Sequence, residues 1–390
     1  MYKYEFELPD YHGNSIVNLM SSISNSFNKK HDYAELQTLT SDELNESKNI
    51  VLIVIDGLGY NYLTQQKESF LYKHLRAPIT STFLTTTACA NTAFSVGYPP
   101  QQHALTGWDI NLKEIGAITT VLPFVPMYKG ESLEKAGFKM EHIMNVPSFR
   151  KGFNGKCISI YNKNIAESAF TTYVSENSEI IATESYDDTF FVITKLLQKP
   201  TNNRRYINTY IPSLDGSCHK NGLGSKETKD IFIDLDKKLK LLTNNISSDT
   251  KLLILSDHGM IDCQVKDKIS TGDFEGFKEC LTIPLAGEVR VRDCFVRPRK
   301  VEQFKKIVKE QMSEYCWCFE GEQLIRDNFY GLGTPNKKLF DRVGDYVLIM
   351  KSHYVLNDKL ANYETHQKNH IGAHGGITSD EMLIPLIVVN

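Results

Sequence analysis

The run Ile50-Val51-Leu52-Ile53-Val54-Ile55, followed at once by Asp56-Gly57-Leu58-Gly59, decides the class of fold. Six consecutive apolar residues rich in β-branching leave no polar side to face water, so the segment predicts a strand buried on both faces. The acid and glycines after it predict a turn. The same grammar returns along the chain. Tyr206 to Leu214 closes on Asp215, Leu252 to Leu255 closes near Asp257 and His258, and Leu383 to Val389 forms the last apolar run. Helical spacing fills the intervals. Ile231, Leu235, Leu239 and Leu242 share one face, and Ile16, Leu19, Met20, Ile23 and Phe27 recur in the same way behind the capping residues Asn14 and Ser15. Strands alternating with helices predict an α/β fold, with a mostly parallel central sheet covered by helices on both faces. Ligands then gather beyond the carboxyl ends of the strands.

One large domain over residues 1–390 accommodates this pattern, with a change of texture from about 285 to 350. There the strand-like Val289 to Val296, the basic amphipathic stretch from Phe304 to Met312 and the run Tyr346 to Met350 read as a small α+β insertion. No internal repeat or low-complexity tract interrupts the chain.

Composition removes several classes of function. The 390 residues are 41% hydrophobic and 23% charged, enough to bury a large core. Forty-four Lys and Arg against 47 Asp and Glu give a net charge of -3, without the basic excess of a nucleic-acid or anionic-membrane binder. No apolar run approaches the roughly 18 residues that span a bilayer, and the first residues lack a secretory pattern. Eight cysteines without a CxxC pair fit reduced thiols, so a cytoplasmic location is expected. Cys316-Trp317-Cys318 is the closest pair, and the second pair of a zinc knuckle is missing.

The chemistry sits where the buried strands end, since a charged residue just after an apolar run must be paired, liganded or solvated. Asp56 follows one run, Asp215-Gly216-Ser217-Cys218-His219 follows another, and Asp257-His258-Gly259 a third. His370-Ile371-Gly372-Ala373-His374 precedes the last. Carboxylates and imidazoles are ligands for borderline divalent ions such as Zn²⁺, with Mn²⁺ also suited to a set without thiolate. Six or seven such groups suggest two ions, which at roughly 4 Å apart can hold a phosphate ester between them. Taken singly each group has a plainer use, Asp56 as a turn cap for instance. Their joint appearance at strand ends makes the metal site. A nucleophile is offered by Thr85-Thr86-Thr87, at the start of a small-residue helix that ends at Gly97, where free amides and the helix dipole favour an alkoxide. A plain threonine cap is the competing use of that segment. Gly57-Leu58-Gly59 resembles the opening of a dinucleotide loop, but Tyr62 occupies the third glycine's place.

In this order the motifs resemble the alkaline phosphatase superfamily, within it the type I phosphodiesterase/nucleotide pyrophosphatase branch. The likeness rests on the strand with Asp56-Gly57, the threonine at a helix start, and Gly97-Tyr98-Pro99-Pro100 with His103. Asp215, His219 and Gly222, then Asp257-His258-Gly259-Met260, then His374-Gly375-Gly376 complete it. The resemblance implies two divalent metal ions, with Asp56, Thr87, Asp257 and His258 around one and Asp215, His219 and His374 around the other. It implies Thr87 as the covalent nucleophile, on its ten-residue distance to Gly97, with Thr86 as the alternative. A hydrolase acting on phosphodiester or pyrophosphate bonds of a small phosphate ester, a nucleotide among the candidates, would then work through a phosphothreonine. A phosphomonoesterase or phosphotransferase shares fold and metals, and a silent nucleotide-binding relative would share the pocket. The chain departs from the family after the Pro-x-x-His segment, where the expected phosphate-contacting asparagine is replaced by Gly107-Trp108-Asp109-Ile110, leaving Asn111 as the candidate. Phe83, Tyr98, Trp108 and Tyr210 are open choices for an aromatic slot, His103 reads as structural, and His370 as a neighbour of the site.

Overall fold

The computed structural model describes residues 6–128, 130–358 and 370–390. The strand Asn49–Ile55 is buried at every position because it lies between parallel partners on both edges, Arg205–Ile211 and Thr250–Leu255. Its alternating side chains feed two separate cores. Ile50, Leu52 and Val54 pack with the helix Ile16–Ser26 and with Ala90, Ala93 and Phe94 of the helix Thr87–Val96. Val51, Ile53 and Ile55 pack with Phe190, Phe232, Leu235 and Leu239 of the helices Tyr186–Gln198 and Lys226–Thr243 on the opposite face. Each such side chain contributes about 1.5–3 kcal/mol on burial, so an Asp at Val51 or Leu52 would unseat one helical layer.

The full sheet has seven strands, in the order Leu75–Thr80, Leu383–Val389, Thr250–Leu255, Asn49–Ile55, Arg205–Ile211, Lys156–Asn162 and Glu179–Thr183. Leu383–Val389 runs antiparallel to both neighbours, whereas the pairings among the last five strands are parallel. A second, antiparallel sheet of seven strands lies beside it. Ala286–Glu288, Val291–Cys294, Cys316–Glu320 and Tyr346–Met350 come from the 285–350 region, and Asp109–Leu112, Ala117–Thr120 and Val125–Pro126 from an earlier hairpin. The two contributions meet at the pair Gly287 and Asp109. Phe304–Met312 forms the helix Val301–Ile307 running into a π-helical turn, Val308–Met312.

The apolar reading of 206–214 as one strand is corrected by the structure. Pro212, which cannot donate to a ladder, ends it after Ile211, and Ser213–Asn221 is a helix carrying Asp215 and His219 one turn apart. Among the described residues no helix is long and apolar enough to cross a membrane.

Candidate metal centre

The carboxyl ends of Asn49–Ile55 and Thr250–Leu255 place Asp56, Asp257 and His258 side by side, since the two strands are in register up to Val54 and Leu255. The backbone there is fixed by close approach. A Cβ on Gly259 would lie 1.9 Å from the carbonyl oxygen of Asp380, so only glycine lets this turn pack against the 380 loop. The amide of Gly57, at φ +76°, donates to Asp257 Oδ1 at 3.3 Å. The helix Thr87–Val96 delivers Thr87 at its first position, capped by Thr86 and closed by Gly97 at φ +82°.

All seven predicted ligands converge. His258 Nε2 is 3.4 Å from Asp56 Oδ1, 3.7 Å from Asp257 Oδ2 and 3.3 Å from Thr87 Oγ1. Asp215 Oδ1 lies 3.3 Å from His219 Nε2 and 3.9 Å from His374 Nε2. The His258 and His374 rings stack with centroids 3.8 Å apart. Two compact donor groups result, Asp56 with Asp257 and His258, and Asp215 with His258 and His374. His258 therefore stands between the two sets rather than within one, and His219 joins through Asp215. Each imidazole is oriented from behind. The Nδ1 atoms of His219, His258 and His374 lie 2.9, 3.0 and 3.0 Å from the carbonyl oxygens of Gly372, Gly259 and Thr85. Donation to a carbonyl leaves Nε2 free as a ligand atom.

The donor set suits divalent cations. Among the described residues, Asp56 Oδ1 and Asp215 Oδ1 are buried without a hydrogen-bond partner, an arrangement that is costly unless a cation or proton answers the charge. Burial, then the charges of Asp215 and Asp257, push Asp56 well above the usual carboxylate range; burial, then Asp257 and Glu288, do the same to Asp215. Burial lowers His219 to about 4, and burial with the neighbouring imidazoles of His258 and His219 holds His374 well below the usual range. Neutral imidazoles beside crowded carboxylates are the forms that bind metal.

Three contributions escaped the sequence, one of them a second role for an aromatic candidate. Tyr210 donates its hydroxyl to Asp56 Oδ2, and sat inside a run that read as core. Asn91, one helical turn after Thr87, donates to Asp257 Oδ2 at 3.5 Å; its i+4 spacing was the available signal. Glu288 on the second sheet accepts from Thr86 Oγ1 at 2.6 Å and from the Trp108 amide at 3.0 Å, and burial raises it to about 7. Thr86 is thus committed to Glu288.

The centre opens into a cavity of about 1090 Å³. Asn91 and Trp108 line it, and Asn111 does not. Of the four aromatic candidates, Trp108 and Tyr210 line the cavity. Phe83 is buried against Phe329 and Tyr330, and Tyr98 stacks on His31 while donating to Asp32 at 2.7 Å. His370 lies on the lining with its ring 4.5 Å from that of His219. His103 is fully buried, its Nδ1 accepting from the Leu105 amide. Cys316 and Cys318 belong to no metal-binding group among the described residues.

The profile of the family described as type I phosphodiesterase/nucleotide pyrophosphatase matches residues 50–377. No curated protein sequence matches the chain. Among solved structures, murine ectonucleotide pyrophosphatase/phosphodiesterase 5, as an inactive variant in complex with AMP, superposes with a TM-score of 0.62 at 17% identity, covering 86% of this chain and 87% of its own. The human protein of the same name gives 0.61 at 15% identity, with 87% of each chain covered. These likenesses establish a common fold.

Proposed function

The chain belongs to the type I phosphodiesterase/nucleotide pyrophosphatase family, and from that premise we propose that it is a metal-dependent hydrolase of phosphodiester or pyrophosphate bonds, with Thr87 as its nucleophile. The placement of Thr87 carries the proposal: its hydroxyl stands at a helix N-terminus, 3.3 Å from His258 Nε2, where two acidic donor groups meet a large cavity. Asp56, Thr87, Asp257 and His258 would hold one divalent cation, and Asp215, His219 and His374 a second. Zn²⁺ best matches these oxygen and nitrogen donors, and Mn²⁺ is the alternative. Bound there, the ions would neutralise phosphate charge and acidify a hydroxyl or a water.

The residues themselves organise the rest. Tyr210 and Asn91 fix the carboxylates of Asp56 and Asp257, and the first amides of Thr87–Val96 turn positive potential toward the nucleophile. Thr87 Oγ gives up its proton and forms a bond to phosphorus while the ester P–O bond breaks, the leaving oxygen keeping the electron pair and taking up a proton. The oxygen of a water then bonds to phosphorus as the bond to Thr87 breaks, the oxygen leaving with the phosphate and a proton of that water restoring the Thr87 hydroxyl. The cavity exceeds the volume a mononucleotide needs. The AMP held by the murine relative supports nucleotide esters as the first compounds to assay.

Hydrolysis of bis-p-nitrophenyl phosphate and of p-nitrophenyl phosphate, before and after chelation, tests the proposal. The diester should be cleaved faster, with activity lost on chelation and restored by Zn²⁺ or Mn²⁺. A faster monoester would make the protein a phosphomonoesterase, and full activity after chelation would end the metal-dependent assignment.

A further inference from the structure

Away from the metal centre, the cavity reaches a buried cation that no carboxylate answers among the described residues. Arg150 is 2% exposed and lines the cavity. Its donors meet only neutral oxygens: Nη1 reaches Val174 O at 2.7 Å and Ser148 Oγ at 3.3 Å, and Nη2 reaches Asn208 Oδ1 at 3.0 Å. Among the described residues its Nε has no hydrogen-bond partner. The guanidinium carbon lies 5.8 Å from the ring centroid of Tyr206. Tyr206 is fully buried, also lines the cavity, and has a hydroxyl without a hydrogen-bond partner among the described residues. Burying a full charge without a counter-charge is costly, and a second unpaired donor beside it compounds the cost. Both costs vanish when an anion occupies the space.

The strand Arg205–Ile211 sets the relation to the metal centre. Tyr206, Asn208 and Tyr210 occupy alternate positions and so share one face. Tyr210 is bonded to Asp56 and Asn208 to Arg150, so the arginine's anchor stands about 7 Å along the strand from the metal's anchor. We propose that Arg150 and Tyr206 form an anion subsite deep in the cavity, which takes a second phosphate or carboxylate group of the substrate while the metal centre holds the scissile phosphate. The subsite deepens the hydrolase assignment and rests on it for the identity of the substrate, though not for its existence. It favours substrates with two separated anionic groups over simple diesters.

Calorimetric titration of the full-length protein with inorganic phosphate, and separately with malonate, tests the subsite, both as purified and after passage over chelating resin. In resin-treated protein the acidic cluster holds no cation to attract an anion, so binding reports on Arg150. One anion should bind. Arg150→Met should weaken it by about tenfold or more, and Tyr206→Phe by about threefold, with a melting temperature equal to or above that of the wild type, because the lost hydroxyl has no protein partner. The tighter of the two probes assigns phosphate or carboxylate as the group recognised. Equal binding to the wild type and Tyr206→Phe would overturn the subsite, even if Arg150→Met failed to fold. Since no turnover is involved, anion binding without hydrolysis would end the hydrolase assignment alone. Hydrolysis without anion binding would end the subsite alone.

Discussion

Thr86 donates its hydroxyl proton to Oε1 of Glu288 across 2.6 Å, tying the cap of the helix Thr87–Val96 to the second sheet. Thr87, the next residue, turns its hydroxyl to His258 Nε2 instead. On the proposed assignment the pair divides position, held by Thr86, from chemistry, carried by Thr87. Thr87→Ala should lower kcat on a diester by about 10³ or more with little loss of stability. Thr86→Val should cost about 1–3 kcal/mol by leaving a buried acceptor short of a donor, with kcat within about tenfold of the wild type. Steady-state kinetics and urea unfolding check both. A dead Thr86 variant beside an active Thr87 variant would transfer the nucleophile to Thr86.

Metal removal should change the sign of a pH dependence. In the metal-free protein burial and neighbouring carboxylates raise Asp56 and Asp215 above their unfolded values. Groups raised on folding contribute stability below the unfolded carboxylate value of about 4, and that contribution is lost as pH rises through the folded values. A bound cation favours the ionised forms and reverses the trend, with release of protons on binding. Calorimetric melts of loaded and chelated protein should therefore diverge between about pH 5 and pH 8, with the loaded protein increasingly the more stable. A gap that stays constant or narrows would count against the acidic cluster as the binding site.

What could be read beforehand follows from how local each signal is. The strand Asn49–Ile55 declared itself because burial on both faces removes every polar position from the run. Asp56 was legible because it follows such a run directly, and Asp257 and His258 because they come two and three residues after another. Asp215 and His219 were found by spacing beyond a strand that was drawn too long, since Leu214 prolonged an apolar stretch that Pro212 had already ended, and the helix that carries them was not foreseen. Tyr210 and Glu288 act only through partners far along the chain, Asp56 and Thr86. Nothing within their own segments marks those partners, though Tyr210 stood among the aromatic candidates. The hairpin 109–126 escaped for another reason: its strands are two to four residues long, too short to show a period.

The ion pair of Arg290 and Glu381 should govern metal affinity from outside the metal centre. Both side chains are fully buried, with Nη2 to Oε2 at 2.9 Å and Nε to Oε1 at 3.0 Å. Burial alone would raise Glu381, but the Arg290 charge and the hydrogen bonds from Thr378 and Gly376 hold it below the usual range. The same residue braces both histidine loops: its Oε1 accepts from the Gly376 amide at 2.8 Å, beside His374, and its carbonyl from the Gly259 amide at 2.8 Å, beside His258. Glu381→Gln leaves Arg290 buried without a counter-charge, at a cost of about 3–5 kcal/mol. Loosening the supports of two ligands should weaken metal binding by about 10–100-fold. Competition titration with a chelating dye measures it, and unchanged affinity in a folded variant would disconnect the pair from the metal centre.

Acid stability should depend on His103. Its Nδ1 accepts from the Leu105 amide at 3.0 Å, so the neutral ring carries its proton on Nε2, which has no partner among the described residues. Burial, with the Arg342 charge adding to it, holds this imidazole down at about 3. A histidine lowered on folding keeps its full contribution above the unfolded value of about 6.5 and loses it as pH falls, because the unfolded chain takes up a proton that the folded ring refuses. The loss is at most about 1.4 kcal/mol per pH unit. His103→Gln can still accept from the Leu105 amide through its side-chain oxygen but cannot titrate. The wild type should be the more stable at pH 7 by about 1–2 kcal/mol, and that lead should shrink by about 1.4 kcal/mol for each unit of acidification from about pH 6 to pH 4. Urea unfolding across that range reads the slope of the difference directly. Parallel curves for the two proteins would mean that His103 takes its proton without resistance, and that some other buried group sets the acid limit of the fold.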